Sequence, residues 1–210
     1  MNNIWFTSDP HFGHTNIVLG TSKWDKTERC RKFETIEDHN QALIQGINKH
    51  VKYDDVLYCL GDWSFGGIEN VLKFRSQINC SNIHLVLGNH DHHIANNKSI
   101  NGLELRSLFT SVSKRIDKVI GGESFVLHHY ALRTWDRAHH GTIHLYGHSH
   151  DTLPDYTDGK GNKYKCTDVG VDVAIRELGE PRPYHVEEIF QMMKNRVDLR
   201  VDHHNAKTHR

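Results

Sequence analysis

Short apolar runs in the first half of the chain end in the same way. Residues 3–8 run into Asp9, residues 55–60 into Gly61-Asp62, and residues 82–87 into Gly88-Asn89-His90-Asp91. Runs of this length, stopped by turn-forming residues, fit buried strands. Between them the period becomes helical. Thr35 with Asp38 three residues on is a capped start, and Leu43, Ile47 and Val51 follow at four-residue spacing. A second helix is expected over 68–78. Strand and helix in alternation imply an α/β sheet.

The pattern changes after about residue 110. Residues 112–120, the Gly121-Gly122 pair and residues 124–127 read as two strands joined by a glycine turn. Residues 143–146 and 165–173 supply further strand. Val186, Ile189, Phe190 and Met193 fall at i, i+3, i+4 and i+7, an amphipathic helix expected on the outside of the sheets. The expected organisation is one domain over 1–195, followed by a charged, frayed tail over 196–210.

Composition narrows the function. The 26 Lys and Arg balance 26 Asp and Glu, so no bulk field draws the chain to nucleic acid or to anionic membrane. No apolar stretch approaches the roughly 18 residues of a membrane helix, and no basic, apolar leader opens the sequence. The expectation is a cytoplasmic chain that starts at Met1. Cys30, Cys59, Cys80 and Cys166 stand singly, without the spacing of a zinc site or a disulfide framework. Histidine is the unusual component, with 19 residues, and position decides what each one does. His92, His93, His139, His140, His203 and His204 read as surface residues.

Five clusters stand where strands should end: Asp9-Pro10-His11, Gly61-Asp62, Gly88-Asn89-His90-Asp91, His128-His129 and Gly147-His148-Ser149-His150. Carboxylate, amide and imidazole without thiolate suit Mn, Fe, Co, Ni or Zn. A pair of metals needs a carboxylate that can bridge, and Asp62 is the natural candidate. His148 and His150, two apart, point to the same side of an extended segment. Strand alternation sends only one of His128 and His129 toward the site.

The ordered set resembles the calcineurin-like metallophosphoesterases over residues 9–150. His128-His129-Tyr130, followed by Trp135, Gly141 and Leu145-Tyr146-Gly147-His148, also looks like a small stand-alone bacterial and phage subgroup labelled only as phosphoesterases. The resemblance implies two facing mixed β-sheets flanked by helices, and two divalent transition-metal ions, manganese foremost, with Fe, Zn, Ni or Co as the other choices. Asp9, His11 and His150 would hold the first ion, Asp62 would bridge, and Asn89, His128 and His148 would complete the second. The family pattern favours His128 over its neighbour. A metal-bridging hydroxide would attack phosphorus, and His90 would protonate the leaving group.

Protein phosphatases of that superfamily follow the bridging Asp with an Asp-Arg pair that orients the acid and grips phosphate, whereas here Trp63-Ser64 follows Asp62. Other residues must hold the substrate. His14 is a candidate contact, Arg133 and Arg137 are placed to compensate phosphoryl oxygens, and Trp135 could stack on a base. The expected substrate is a small or nucleotide-like phosphodiester. The alternatives are a phosphomonoesterase, a nuclease acting on DNA or RNA ends, and a non-catalytic metal-binding scaffold. The nuclease reading is weakened by the lack of a basic stripe beyond residues 207–210. The scaffold reading is weakened because no ligand position is missing. Oligomeric state is not encoded in any of these features.

Overall fold

A computed structural model describes residues 3–201. His203, His204 and the basic cluster at 207–210 lie outside the described residues. The strands are β1 (Ile4–Thr7), β2 (Val56–Cys59), β3 (Asn82–Val86), β4 (Ser99–Ile100), β5 (Leu103–Glu104), β6 (Ser111–Ser113), β7 (Arg115–Ile120), β8 (Glu123–His128), β9 (Ile143–Tyr146), β10 (Cys166–Asp168) and β11 (Tyr184–His185). The helices are α1 (Ile36–His50), α2 (Ile68–Arg75), α3 (His92–Ala95), α4 (Val171–Leu178) and α5 (Val186–Met193).

Two sheets carry the architecture. One has five strands in the order β11-β1-β2-β3-β6, the other four in the order β10-β9-β8-β7, and β4 with β5 forms a separate ribbon. Alternation along the strands shows how they are layered. Trp5, Leu57 and Cys59 join α1 and α2 residues in one core, while Phe6, Tyr58 and Leu60 join Phe125, Leu127, Ile143 and Leu145 of the second sheet in another. Phe6 stacks on both Tyr58 and Phe125, with ring centres 5.5 and 5.7 Å apart, so it ties the two sheets together. The apolar runs of β1 and β2 are continuous because both faces are buried. Val126 points the other way, into a third core with Trp135, Tyr146 and Leu199.

The two-sheet, helix-flanked α/β class agrees with the sequence expectation, and the details differ in four places. Residues 112–120 are not one strand. The chain leaves the first sheet after β6 and enters the second at β7, with Lys114 at the crossing. The run over 165–173 is strand only to Asp168. The carboxylate of Asp168 accepts from Gly170 N–H at 2.7 Å, turning the chain into α4, whose Val171, Val173 and Ala174 are buried. The buried face of α5 (Val186, Ile189 and Met193) contributes to the core between the sheets. The packed structure also runs past residue 196: Leu199 is buried, and Val197 exchanges backbone hydrogen bonds with Lys163 and Lys165. None of the described helices is long and apolar enough to cross a membrane.

Strand direction positions the site. β1, β2, β3 and β6 run parallel, as do β8, β9 and β10. Parallel strands deliver their carboxyl ends to one edge, which is where open α/β sheets place their functional loops.

The start of β1 is fixed by a buried carboxylate. Asp55 accepts from Asn3 N–H at 3.0 Å, Asn3 Nδ2 at 3.2 Å, Trp5 Nε1 at 3.1 Å and Lys52 N–H at 2.9 Å. Burial pushes its pKa up, but these donors outweigh burial and hold it below the usual carboxylate range. Asp55→Ala leaves several donors unpaired and should cost about 3 kcal/mol in a urea titration. Because the folded pKa is depressed, that difference should be full above the unfolded carboxyl value near pH 3.9 and shrink as pH falls through the folded value.

Candidate metal centre

The loops after the strand ends are stitched together by their backbones before any side chain acts. Asp9 N–H donates to Gly61 O, His11 N–H to Asp62 O and Gly147 N–H to His129 O, at 2.9 to 3.0 Å. Five of these loop residues, Asp9, His11, Asp62, His148 and His150, have φ between 47° and 66°. Left-handed backbone at a non-glycine residue costs on the order of 1 kcal/mol or more and persists only where the surroundings enforce it. Glycine serves here for close approach as well as for turning. A Cβ on Gly88 would overlap Asp62 Oδ1, and one on Gly147 would overlap Asp9 Oδ2.

Each central carboxylate has one oxygen fixed and one presented. Asp9 Oδ2 accepts from His148 N–H at 2.8 Å, while Oδ1 is buried without a hydrogen bond, 3.8 Å from His11 Nε2. Asp62 Oδ1 accepts from His90 N–H at 2.8 Å, and Oδ2 lies 3.4 Å from His11 Nε2 and 3.5 Å from His129 Nε2. The structure thereby assembles two groups, Asp9 with His11 and His150, and Asp62 with His129 and His148. Asp62 Oδ2 stands between them.

The donor set fits a pair of cations. His129 Nδ1 lies 2.8 Å from Leu60 O, which can only accept, so in the neutral ring the proton sits there and Nε2 carries a lone pair. That lone pair faces Asn89 Oδ1 at 3.0 Å and Asp62 Oδ2, both acceptors. His150 Nδ1 is engaged in the same way by Asp172 Oδ2 at 2.8 Å. Both nitrogens of His11 are buried without a partner. Asp9 Oδ1 and the two His11 nitrogens are thus buried without a hydrogen bond, which is rare in proteins, and a bound metal ion would satisfy them.

Burial is the largest influence on the titration of these groups. Burial raises the Asp9 pKa, despite opposing help from His150 and His129. Burial, with His150 and Arg31 adding to it, drives His11 well below the imidazole range, which keeps a ligating ring neutral. For His150, burial pulls down, but the Asp172 hydrogen bond and Asp9 outweigh it and raise the value.

One expected ligand is corrected. His128 is the last residue of β8, half-buried, and its Nδ1 meets the Tyr130 backbone. His129 is fully buried and is grouped with Asp62 and His148, so the structure brings the residue after the strand, and not the strand residue, to the centre. Trp135 is also corrected as a stacking surface: it is 6% exposed, donates from Nε1 to Thr142 O at 2.8 Å and packs in the third core. Arg133 and Arg137 are exposed and do not line the cavity beside His148 and His150. His14 stays near the site, with its ring 5.4 Å from that of His11.

His90 is held without the carboxylate that the phosphatases use. Its N–H is anchored on Asp62, and its ring lies between those of His11 and Phe65, at 5.3 and 5.1 Å. Three supporting residues escaped the sequence reading. Asp91 accepts from the N–H groups of Asp62, Trp63 and Gly88 at 2.8 to 2.9 Å and so fixes the Asp62 loop to the Asn89 loop. Arg31, 3% exposed, forks onto Asp172 at 2.9 and 3.1 Å, donates to Pro10 O at 3.0 Å and to Asp9 O at 2.6 Å, and touches His39. Asp172, in turn, orients His150. Asp91 lies inside the motif itself, while Arg31 and Asp172 stand far apart in sequence with no pattern to mark them.

No protein-family model matches the chain. Gene 66 protein of Mycobacterium phage L5 is 31% identical over 93 residues, which is 43% of this chain and 41% of that protein. The chain spans less than half the length of the curated relatives it matches. Among solved structures, a protein of unknown function from Aquifex aeolicus has a similar fold, with a TM-score of 0.61 at 17% identity, covering 91% of this chain and 100% of that one. An archaeal phosphodiesterase matches with a TM-score of 0.43 at 14% identity, over 80% of this chain and 82% of that one.

The two imidazoles give a direct test. His129→Ala should lose about one equivalent of metal on elemental analysis, whereas His128→Ala should retain both. The reverse result would return the ligand to the strand residue.

Proposed function

We propose that this chain, whose ordered Asp, Asn and His motifs resemble those of the calcineurin-like phosphoesterases, is a dinuclear metal-dependent hydrolase of a phosphodiester. The observation that carries the reading is the position of Asp62 Oδ2, within 3.5 Å of imidazole nitrogens from both groups. Asp9, His11 and His150 would hold one ion, Asn89, His129 and His148 the other, and Asp62 would span them. Manganese suits this oxygen and nitrogen set. When bound, such a pair supplies an activated water and neutralises phosphoryl oxygens.

The chain's own residues do the rest. Arg31 and Asp91 hold the loops still, so that the ligand atoms converge without reorganisation at the moment of reaction. His90, beside the centre, is placed to protonate the departing oxygen, a contribution of roughly 10² to 10⁴-fold. A diester fits better than a monoester on charge. Arg31 is the buried guanidinium next to Asp9, but its five N–H groups are taken up by Asp172, Asp9 O, Pro10 O and His39 Nε2, leaving none for the second negative charge of a monoester.

Metal-stripped protein reloaded with Mn²⁺ should hydrolyse bis(p-nitrophenyl) phosphate faster than p-nitrophenyl phosphate. Asp62→Ala should abolish turnover of both and release both ions. His90→Ala should keep its metal and lose activity, by about 10² or more, mainly on esters with alkyl leaving groups, which need a proton. Faster hydrolysis of the monoester would overturn the diester assignment. Full activity in Asp62→Ala would overturn the dinuclear one.

A further inference from the structure

Beside the centre lies a cleft of about 1040 Å³ that reaches from His148 and His150 to Trp24, Arg29 and Lys32. A phosphate group alone needs far less space, and this volume is that of a site for a whole small molecule. Trp24 lines the cleft, and from it a chain of ring contacts leads back toward the centre. Trp24 meets the His14 ring edge-on at 6.0 Å, His14 stacks on Phe65 at 4.1 Å, and Phe65 contacts His90 at 5.1 Å. Trp24 and Phe65 are 39% and 38% exposed. Single exposed aromatics are ordinary, but Trp24 both lines the cleft and ends a chain of ring contacts that starts at the candidate acid.

The charges of the cleft are uneven. Arg31 is paired with Asp172 and Arg176 with Asp151, at 2.9 and 2.6 Å. Arg29 and Lys32 have no ion pair among the described residues, and Glu28 is the lining carboxylate left to face them. A flat π surface next to unneutralised cations recognises a planar ring that carries an anion.

We infer that this cleft binds a nucleotide, with its base against Trp24 and a second phosphate group on Arg29 and Lys32, one phosphate being held at the metal centre. The inference rests on the phosphodiesterase reading and names its substrate class. It moves the substrate grip from the segment around Trp135, which is packed away, to the loop that carries Trp24.

Calorimetric titration of the Mn²⁺-loaded protein with inorganic phosphate, thymidine 5′-monophosphate and thymidine 3′,5′-bisphosphate tests it. Affinity should rise in that order. Trp24→Ala should cut the advantage of both thymidine ligands over phosphate by about tenfold, and Trp24→Phe should restore most of it. The double substitution Arg29→Ala with Lys32→Ala should erase the advantage of the bisphosphate over the monophosphate. If phosphate binds as tightly as the bisphosphate, or if Trp24→Ala weakens all three ligands equally while lowering Tm, the residue only packs its loop and the inference falls. Turnover of bis(p-nitrophenyl) phosphate by the unsubstituted protein separates the two claims. Turnover without thymidine preference defeats the cleft assignment alone, and Trp24-dependent binding without turnover of any ester defeats the hydrolase reading alone.

Discussion

Two buried carboxylates, Asp9 and Asp62, each 1% exposed, set the terms for everything around them. Burying such groups is expensive unless each oxygen has a partner. Here one oxygen of each accepts a backbone N–H from a different loop, His148 for Asp9 and His90 for Asp62. Those bonds tie the end of β1 to the end of β9, and the end of β2 to the end of β3. The other oxygens stay unpaired toward the centre, where His129 and His150, each with Nδ1 taken up by an acceptor, keep a lone pair on Nε2. The fold thus concentrates acceptors at one point, a condition that a pair of cations relieves.

Holding that arrangement requires support from outside it. Arg31 links the backbone of Asp9 and Pro10 to Asp172, and Asp172 fixes the tautomer of His150. The Arg31 guanidinium and the hydrogen bond from His150 hold the Asp172 carboxyl far below the usual range, although burial pushes it up. Asp91 does for the Asp62 loop what Arg31 does for the Asp9 loop. Its own pKa is pushed up to about 6 by burial, against the pull of three backbone donors. The left-handed backbone at Asp9, His11, Asp62, His148 and His150 is stabilised by the same network.

Legibility in the sequence followed the range of the interaction. The α/β class, the strands that end in ligands and the helix capped by Thr35 are local patterns, and each was readable from apolar period and turn residues. Asp9, His11, Asp62, Asn89, His148 and His150 stand in short motifs next to strands, so their convergence followed from parallel strands. His128 was preferred on the family pattern, strand alternation leaving either residue open, yet β8 ends there and the next residue turns inward. Trp135 was read from its place between ligands, while the third core that buries it involves Leu199, too far along the chain for spacing to signal. Arg31, Asp172 and Trp24 were invisible for the same reason: what places them is tertiary contact, without period or motif.

The central claim is that one carboxylate oxygen serves two metal sites. Anomalous diffraction at the manganese edge from crystals grown with Mn²⁺ addresses it most directly. The account predicts two peaks, roughly 3.5 to 4 Å apart, with Asp62 Oδ2 between them, Asp9, His11 and His150 around one, and Asn89, His129 and His148 around the other. A single peak, or two peaks of which only one is ligated by Asp62, would contradict it.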